Sequence, residues 1–150
     1  MLKKLMKNER GLTLIELLAV VVILGIIAAI AIPAIGGMIN NSRIDAHISN
    51  AQQIANSARL YVASVDPDAK KITLEQLIEK DLLESIDDPQ TDGNYDESTV
   101  VNLVEVSGDL EYQVQLFPDG SETGYIKVSD IPDANDLTRE DFKEAKVESK

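Results

Sequence analysis

Residues 11–42 read G-L-T-L-I-E-L-L-A-V-V-V-I-L-G-I-I-A-A-I-A-I-P-A-I-G-G-M-I-N-N-S, and from Leu17 to Ser42 there are 26 consecutive positions without a formal charge. At about 1.5 Å per residue, a helix from Leu12 to Ile32 covers roughly 30 Å, the thickness of a bilayer core. A chain of 150 residues has one modest domain's worth of material and too little left over to bury a helix that is apolar on every face. The segment therefore reads as a membrane helix. Lys3, Lys4, Lys7 and Arg10 precede it against the single Glu9, which favours a cytoplasmic tip and export of the chain beyond the helix. An ordinary secretory signal fits less well: the apolar run exceeds the usual core of about 7–15 residues, and Ala29-Ile30-Ala31 is only a nominal cleavage site.

Charge divides the chain in the same place. The whole sequence carries 14 basic and 26 acidic residues, net -12. Without residues 1–11, which hold four basic and one acidic side chain, 10 and 25 remain, net -15. So acidic a body repels nucleic acid and offers no cationic groove for a phosphate backbone. There is no cysteine, which excludes disulfides, thiolate nucleophiles and Cys-ligated metals. With one histidine as well, the usual catalytic triads have no residues to form them, and no enzyme is expected.

Glu16 stands directly against the apolar run, where desolvating a carboxylate costs several kcal/mol unless it is paired or protonated. One explanation is a solvated residue at the membrane interface. The other requires a cut between Gly11 and Leu12, which would create an α-amino group four residues from Glu16 on the first turn of a helix. A helix N-terminus favours the carboxylate, and an amine of this subunit or of a neighbour would offset its desolvation.

Gly11-Leu12-Thr13-Leu14-Ile15-Glu16, after a short basic leader and before the apolar tract, resembles the prepilin signature of type IV pilins and pseudopilins, with class III-type cleavage and methylation. The resemblance is close over residues 1–62 and only broad beyond. It implies cleavage after Gly11 and N-methylation of Leu12 by a membrane prepilin peptidase/N-methyltransferase. It also implies assembly into a filament, with Glu16 pairing with the terminal amine of an adjacent subunit. Leu12 departs mildly from the commoner phenylalanine. The implied fold is α+β and type IV pilin-like, a long N-terminal helix packed on a small antiparallel sheet. The implied organisation is a leader at 1–11, a transmembrane and filament-core helix at 12–38, and an exported head at 39–150. Assembly is assigned to Thr13, Glu16 and Pro33. The implied product is a structural subunit of a type IV pilus or related cell-surface filament; the alternative is the major pseudopilin of a type II secretion system. Its implied partners are copies of itself, minor pilins and a membrane assembly platform driven by a cytoplasmic ATPase. It would be a single-pass membrane protein before assembly, and part of an extracellular pilus or envelope-spanning pseudopilus afterwards. The missing C-terminal cysteine pair suits many Gram-positive pilins and pseudopilins.

Within the apolar tract Pro33 cannot donate to the Ala29 carbonyl, and its ring crowds that turn, which predicts a kink or a locally opened segment; the resemblance implies melting of part of Gly25–Pro33 on assembly. Ala28, Ala29, Ala31 and Ala34 permit close helix approach. Past Ile39 the pattern becomes one-sided: Ile44, Ile48, Ala51, Ala55, Ala58 and Val62 recur at spacings of three and four, widened by Ile54 and Tyr61. The predicted helix runs on to Val62 and is ended by Asp66-Pro67-Asp68. His47 within it reads as an exposed or groove histidine rather than a ligand.

Thr73 and Gln76 form a T-x-x-Q capping box for a helix over Leu74–Leu83. Thr99–Val106 and Leu110–Phe117 flank Ser107-Gly108-Asp109 as a hairpin, with Gln113 and Gln115 on its outer face. Gly124–Val128 reads as a third strand, and Thr138 with Asp141 as the cap of a terminal helix through Val147. Asp88, Asp92 and Asp96, with Gly93, match four positions of a calcium loop, the three carboxylates being its candidate metal ligands. Gln90 and Thr99 occupy places that demand carboxylates, so no EF-hand is expected, and calcium is the one cofactor the sequence suggests.

Overall fold

A computed structural model describes residues 13–126 and 131–142. The chain divides into two compact units, Met1–Asn40 and Asn41–Lys150, and the division falls inside one helix. That helix, α1, spans Leu14–Ser64. Its half in the first unit is exposed on all sides, with Leu14, Ile15, Ile30, Ile32 and Met38 among the large apolar side chains open to their surroundings. It is long and apolar enough to cross a membrane, with a mean hydropathy of 3.0 over its best 18-residue window. Helical conformation continues through Gly25 and Pro33. Proline removes one N–H from one turn and the flanking turns keep theirs; the melting that the resemblance implies belongs to the assembled filament.

In the second unit α1 presents the expected stripe. Ala51, Ile54, Ala55 and Ala58 are wholly buried, and Tyr61 nearly so. They pack into one core with Ile72, Leu74, Leu77, Val101, Val114, Leu116 and Ile126. Burying each of the larger aliphatic side chains stabilises the head by about 1.5–3 kcal/mol relative to exposure. Residues beyond Ser64 leave the helix at Asp66-Pro67-Asp68.

The sheet is three-stranded and antiparallel, in the order β1 (Lys71–Thr73), β2 (Val100–Val106), β3 (Asp109–Gln115). Its third member is therefore β1, too short to announce itself by alternation, and not the stretch expected over Gly124–Val128. There the described residues contribute a single bridge, Ile126 to Phe142, and Lys127 and Val128 lie outside the described residues. Ile72, Val101 and Val114 stand side by side in register and are wholly buried, so this face of the sheet lies on the core. The hairpin turn is two residues, Ser107 and Gly108, both with positive φ (55° and 95°), and Val106 pairs directly with Asp109. Positive φ at both central residues is what a right-twisted hairpin requires.

The helix after β1, α2, is shorter than expected, Leu74–Glu79. Its capping box is the one read from the sequence, with Gln76 N–H donating to Thr73 Oγ1 and Thr73 N–H to Gln76 Oε1. It stops early because Asp81 takes a left-handed conformation (φ 54°), which lets Asp81 N–H donate to Ile78 O and Leu82 N–H to Leu77 O. Those two bonds close the helix as a Schellman motif, with aspartate where glycine is usual.

Segments 124–126 and 131–142 cover what the sheet leaves open. Ala134 N–H donates to Tyr112 O, and Tyr112 N–H to Asp133 Oδ2, both beside β3. Thr138 N–H donates to Asp141 Oδ2, which starts a 3-10 helix at Arg139–Asp141. This turn replaces the beginning of the expected terminal helix, because Phe142 is extended and bridged to Ile126. Residues 143–147 of that expectation lie outside the described residues. Gln115 is buried rather than outward, with Nε2 donating to Ile126 O at 3.2 Å.

Candidate functional site: the start of the apolar helix

Thr13 is the residue before α1 and Glu16 the third within it. Thr13 N–H and Thr13 Oγ1–H both donate to Glu16 Oε2, each at 2.8 Å, and Glu16 N–H donates back to Thr13 Oγ1 at 3.3 Å. This reciprocal arrangement is a capping box: the threonine oxygen takes one orphan N–H of the first turn, and the glutamate takes the N–H of the cap residue. The pattern T-x-x-E was visible in the sequence, as it was at Thr73.

The geometry answers part of the question that Glu16 poses. Its carboxylate sits where the positive end of the helix dipole favours an anion, and one oxygen is fully used. Oε1 has no hydrogen-bond partner among the described residues. The carboxylate is thus held in one orientation by its own chain, with half of its acceptor capacity open. Gly11 and Leu12, to which cleavage and methylation are assigned, lie outside the described residues. Pro33 is an exposed member of α1.

The calcium-loop residues are placed differently from one another. Asp88 is 2% exposed; its Oδ2 accepts from the Tyr125 hydroxyl at 2.5 Å and its Oδ1 from Gln90 N–H at 2.8 Å. Asp96 is half-buried and accepts from Ser98 N–H and Gly120 N–H, which hold the 96–98 turn against the 118–121 turn. Asp92 is exposed. Among the described residues no three His, Asp or Glu side chains converge as a metal site. Asp88 and Asp96 accept from loop N–H and hydroxyl groups of their own chain.

His47, expected to be exposed or in a groove, is 1% exposed. Tyr95, Tyr125 and Phe142 cover it from three later segments. Nothing in the helical spacing signalled this, because the covering residues are 48 or more positions away.

An exposed apolar half-helix, a capped carboxylate at its start and a small α+β unit are features of pilin-like proteins. Comparison with family models agrees: residues 6–32 match the prokaryotic N-terminal methylation motif, so the chain carries a type IV pilin-like prepilin signature. Comparisons with curated proteins and with solved structures gave no match.

Proposed function

We propose that this chain is the structural subunit of a type IV pilus or related filament. It is inserted in the membrane, cut after Gly11, N-methylated at Leu12 and polymerised through residues 12–38. The observation that carries the reading is the methylation motif over residues 6–32, joined to an apolar half-helix that is exposed among the described residues. Large apolar side chains exposed in unbroken succession need either lipid or neighbouring helices. In this reading the order is lipid first and neighbours later.

In this reading Thr13 and Glu16 act as a unit. The capping box satisfies one carboxylate oxygen while the subunit waits in the membrane, and the open Oε1 receives the Leu12 amine of an incoming subunit. A buried pair of this kind adds little net stability; its value is register. The subunit is structural and catalyses nothing.

Intact-protein mass spectrometry of the assembled form tests the processing. Loss of residues 1–11 plus one methyl group is expected; a mature species that keeps the leader, or begins after Ala31, refutes it. Glu16→Ala and Glu16→Gln test assembly. Both should leave cleavage and membrane fractionation intact and sharply reduce sheared filament when the variant is the only copy. Normal filament yield from both, at matched expression, would leave Glu16 as a helix cap alone.

A further inference from the structure

His47 is the chain's single histidine, and the filament reading makes no use of it. Its ring lies 4.3 Å from that of Tyr125 and 5.7 Å from those of Tyr95 and Phe142, centroid to centroid. Three segments that are distant in sequence thus meet α1 on one imidazole.

The hydrogen bonds around the ring admit one self-consistent arrangement. Nδ1 lies 2.6 Å from the Tyr95 hydroxyl, whose oxygen already accepts from Asn50 Nδ2 at 3.3 Å. The hydroxyl proton is then directed at Nδ1. Nε2 faces oxygen acceptors only, Gln90 Oε1 at 3.4 Å and Asp88 Oδ1 at 3.9 Å, and carries the ring's proton. Every group is paired when the imidazole is neutral. A second proton on Nδ1 would set N–H against O–H. The Tyr95 hydroxyl would have to turn away from its acceptor in a place where the residue is 4% exposed. An unpaired buried donor costs about 1–3 kcal/mol.

The charged surroundings do not reverse this. From the 87–95 loop, Asp88 and Tyr95 face the ring, and Tyr125 faces it from the segment after β3. From the last described turn only Phe142 does, while Arg139 is held at the surface by both carboxylate oxygens of Asp45 and Glu140 is exposed. Asp88 attracts a proton to the ring, but its carboxylate is already committed to Tyr125 and Gln90.

We infer that His47 is a proton-sensitive latch of the head: neutral, it holds the 87–95 loop, Tyr125 and Phe142 on α1, and protonation at Nδ1 loosens them. The direction of its titration agrees. Burial pushes the imidazole below its ordinary value, against the opposing pull of Asp88 and Gln90. A histidine whose folded pKa is lowered contributes stability that is complete above its unfolded value of about 6.5. That contribution declines as pH falls below this value toward the folded pKa.

A lone histidine gives one imidazole signal, so nuclear magnetic resonance of the full chain in detergent reads the latch directly. The expected midpoint lies below that of free histidine, with the Tyr95 and Tyr125 ring signals moving at the same midpoint. Amide exchange over residues 87–95, corrected for intrinsic rates, should accelerate about tenfold for each pKa unit of differential protonation, while β2 and β3 stay protected. His47→Gln should abolish that acceleration. Tyr95→Phe removes the hydroxyl that favours neutral Nδ1 and should move the midpoint upward. Protection of β2 and β3 checks that each variant is folded. A midpoint at or above that of free histidine overturns the inference. So does a titration that leaves residues 87–95 unchanged, an acceleration that survives His47→Gln, or a midpoint that Tyr95→Phe leaves unmoved.

Discussion

Gly124→Ala adds one methyl group at the point where the 124–126 segment crosses β3. A Cβ on Gly124 would lie 2.0 Å from Gln115 Nε2, 2.9 Å from Gln115 Cδ and 2.9 Å from Leu116 O. Two of these atoms belong to a side chain, but not a free one, since Gln115 Nε2 donates to Ile126 O. The third is backbone and accepts from Tyr125 N–H at 2.9 Å. Relieving the clash therefore means swinging Gln115 out of its bond or lifting the segment from the sheet. Overpacking costs about 1–3 kcal/mol, and the lost hydrogen bond about 1 kcal/mol. The expected destabilisation is about 2–4 kcal/mol, or about 8–16 °C in Tm at roughly 4 °C per kcal/mol for a head of this size. Thermal unfolding of the full chain in mild detergent, followed by circular dichroism, measures it. Gly93→Ala is the control, because its Cβ would meet only Thr91 Oγ1 at an ordinary 3.9 Å. If Gly124→Ala melts within about 2 °C of wild type, the tight crossing is not a stabilising contact.

The division of the chain and the bonding of its acids lead to two more expected outcomes. Removing residues 1–38 should leave a soluble acidic monomer with mixed helix and strand by circular dichroism, because the core lies within the Asn41–Lys150 unit; an insoluble fragment, or an all-helical spectrum, contradicts this. Asp96 is held below the ordinary carboxylate range by the Ser98 hydroxyl and amide and by the Gly120 amide. Its contribution is present above an unfolded value of about 3.9 and is lost as pH falls through the folded pKa. Asp96→Asn should accordingly flatten the acid limb of a stability–pH curve below about pH 4, and an unchanged limb counts against those bonds.

The local code was read well and the distant code poorly. The apolar tract, the one-sided stripe from Ile44, the Thr73 capping box and the β2–β3 hairpin each depend on residues within a few positions of one another, and each is present. What failed depends on partners far along the chain. β1 has three residues and exists because Thr73, Ile72 and Lys71 find Val100, Val101 and Asn102. Gln115 alternates outward on its own strand but is covered by segment 124–126, and His47 is buried by rings no periodicity connects to it. The Schellman end of α2 has no sequence signal, because aspartate stands where glycine is usual. Of the residues to which processing and assembly are assigned, Thr13 and Glu16 are brought together in a capping box, a role that their spacing spells.

The pairing of Arg139 with Asp45 joins positions 94 residues apart, and the contact of His47 with Phe142 spans a comparable loop, while those with Tyr95 and Tyr125 span shorter ones. The amphipathic half of α1 is made early in synthesis, and the segments that shelter it arrive last. Contacts of such sequence separation slow folding, because loop closure must precede any gain from packing. Until residue 142 has emerged, Ala51, Ile54 and Ala58 have no complete cover and the helix is sticky on the side it will later hide. A chain arrested short of residue 142 would thus show a second apolar surface in addition to the first, and so be marked for aggregation or proteolysis.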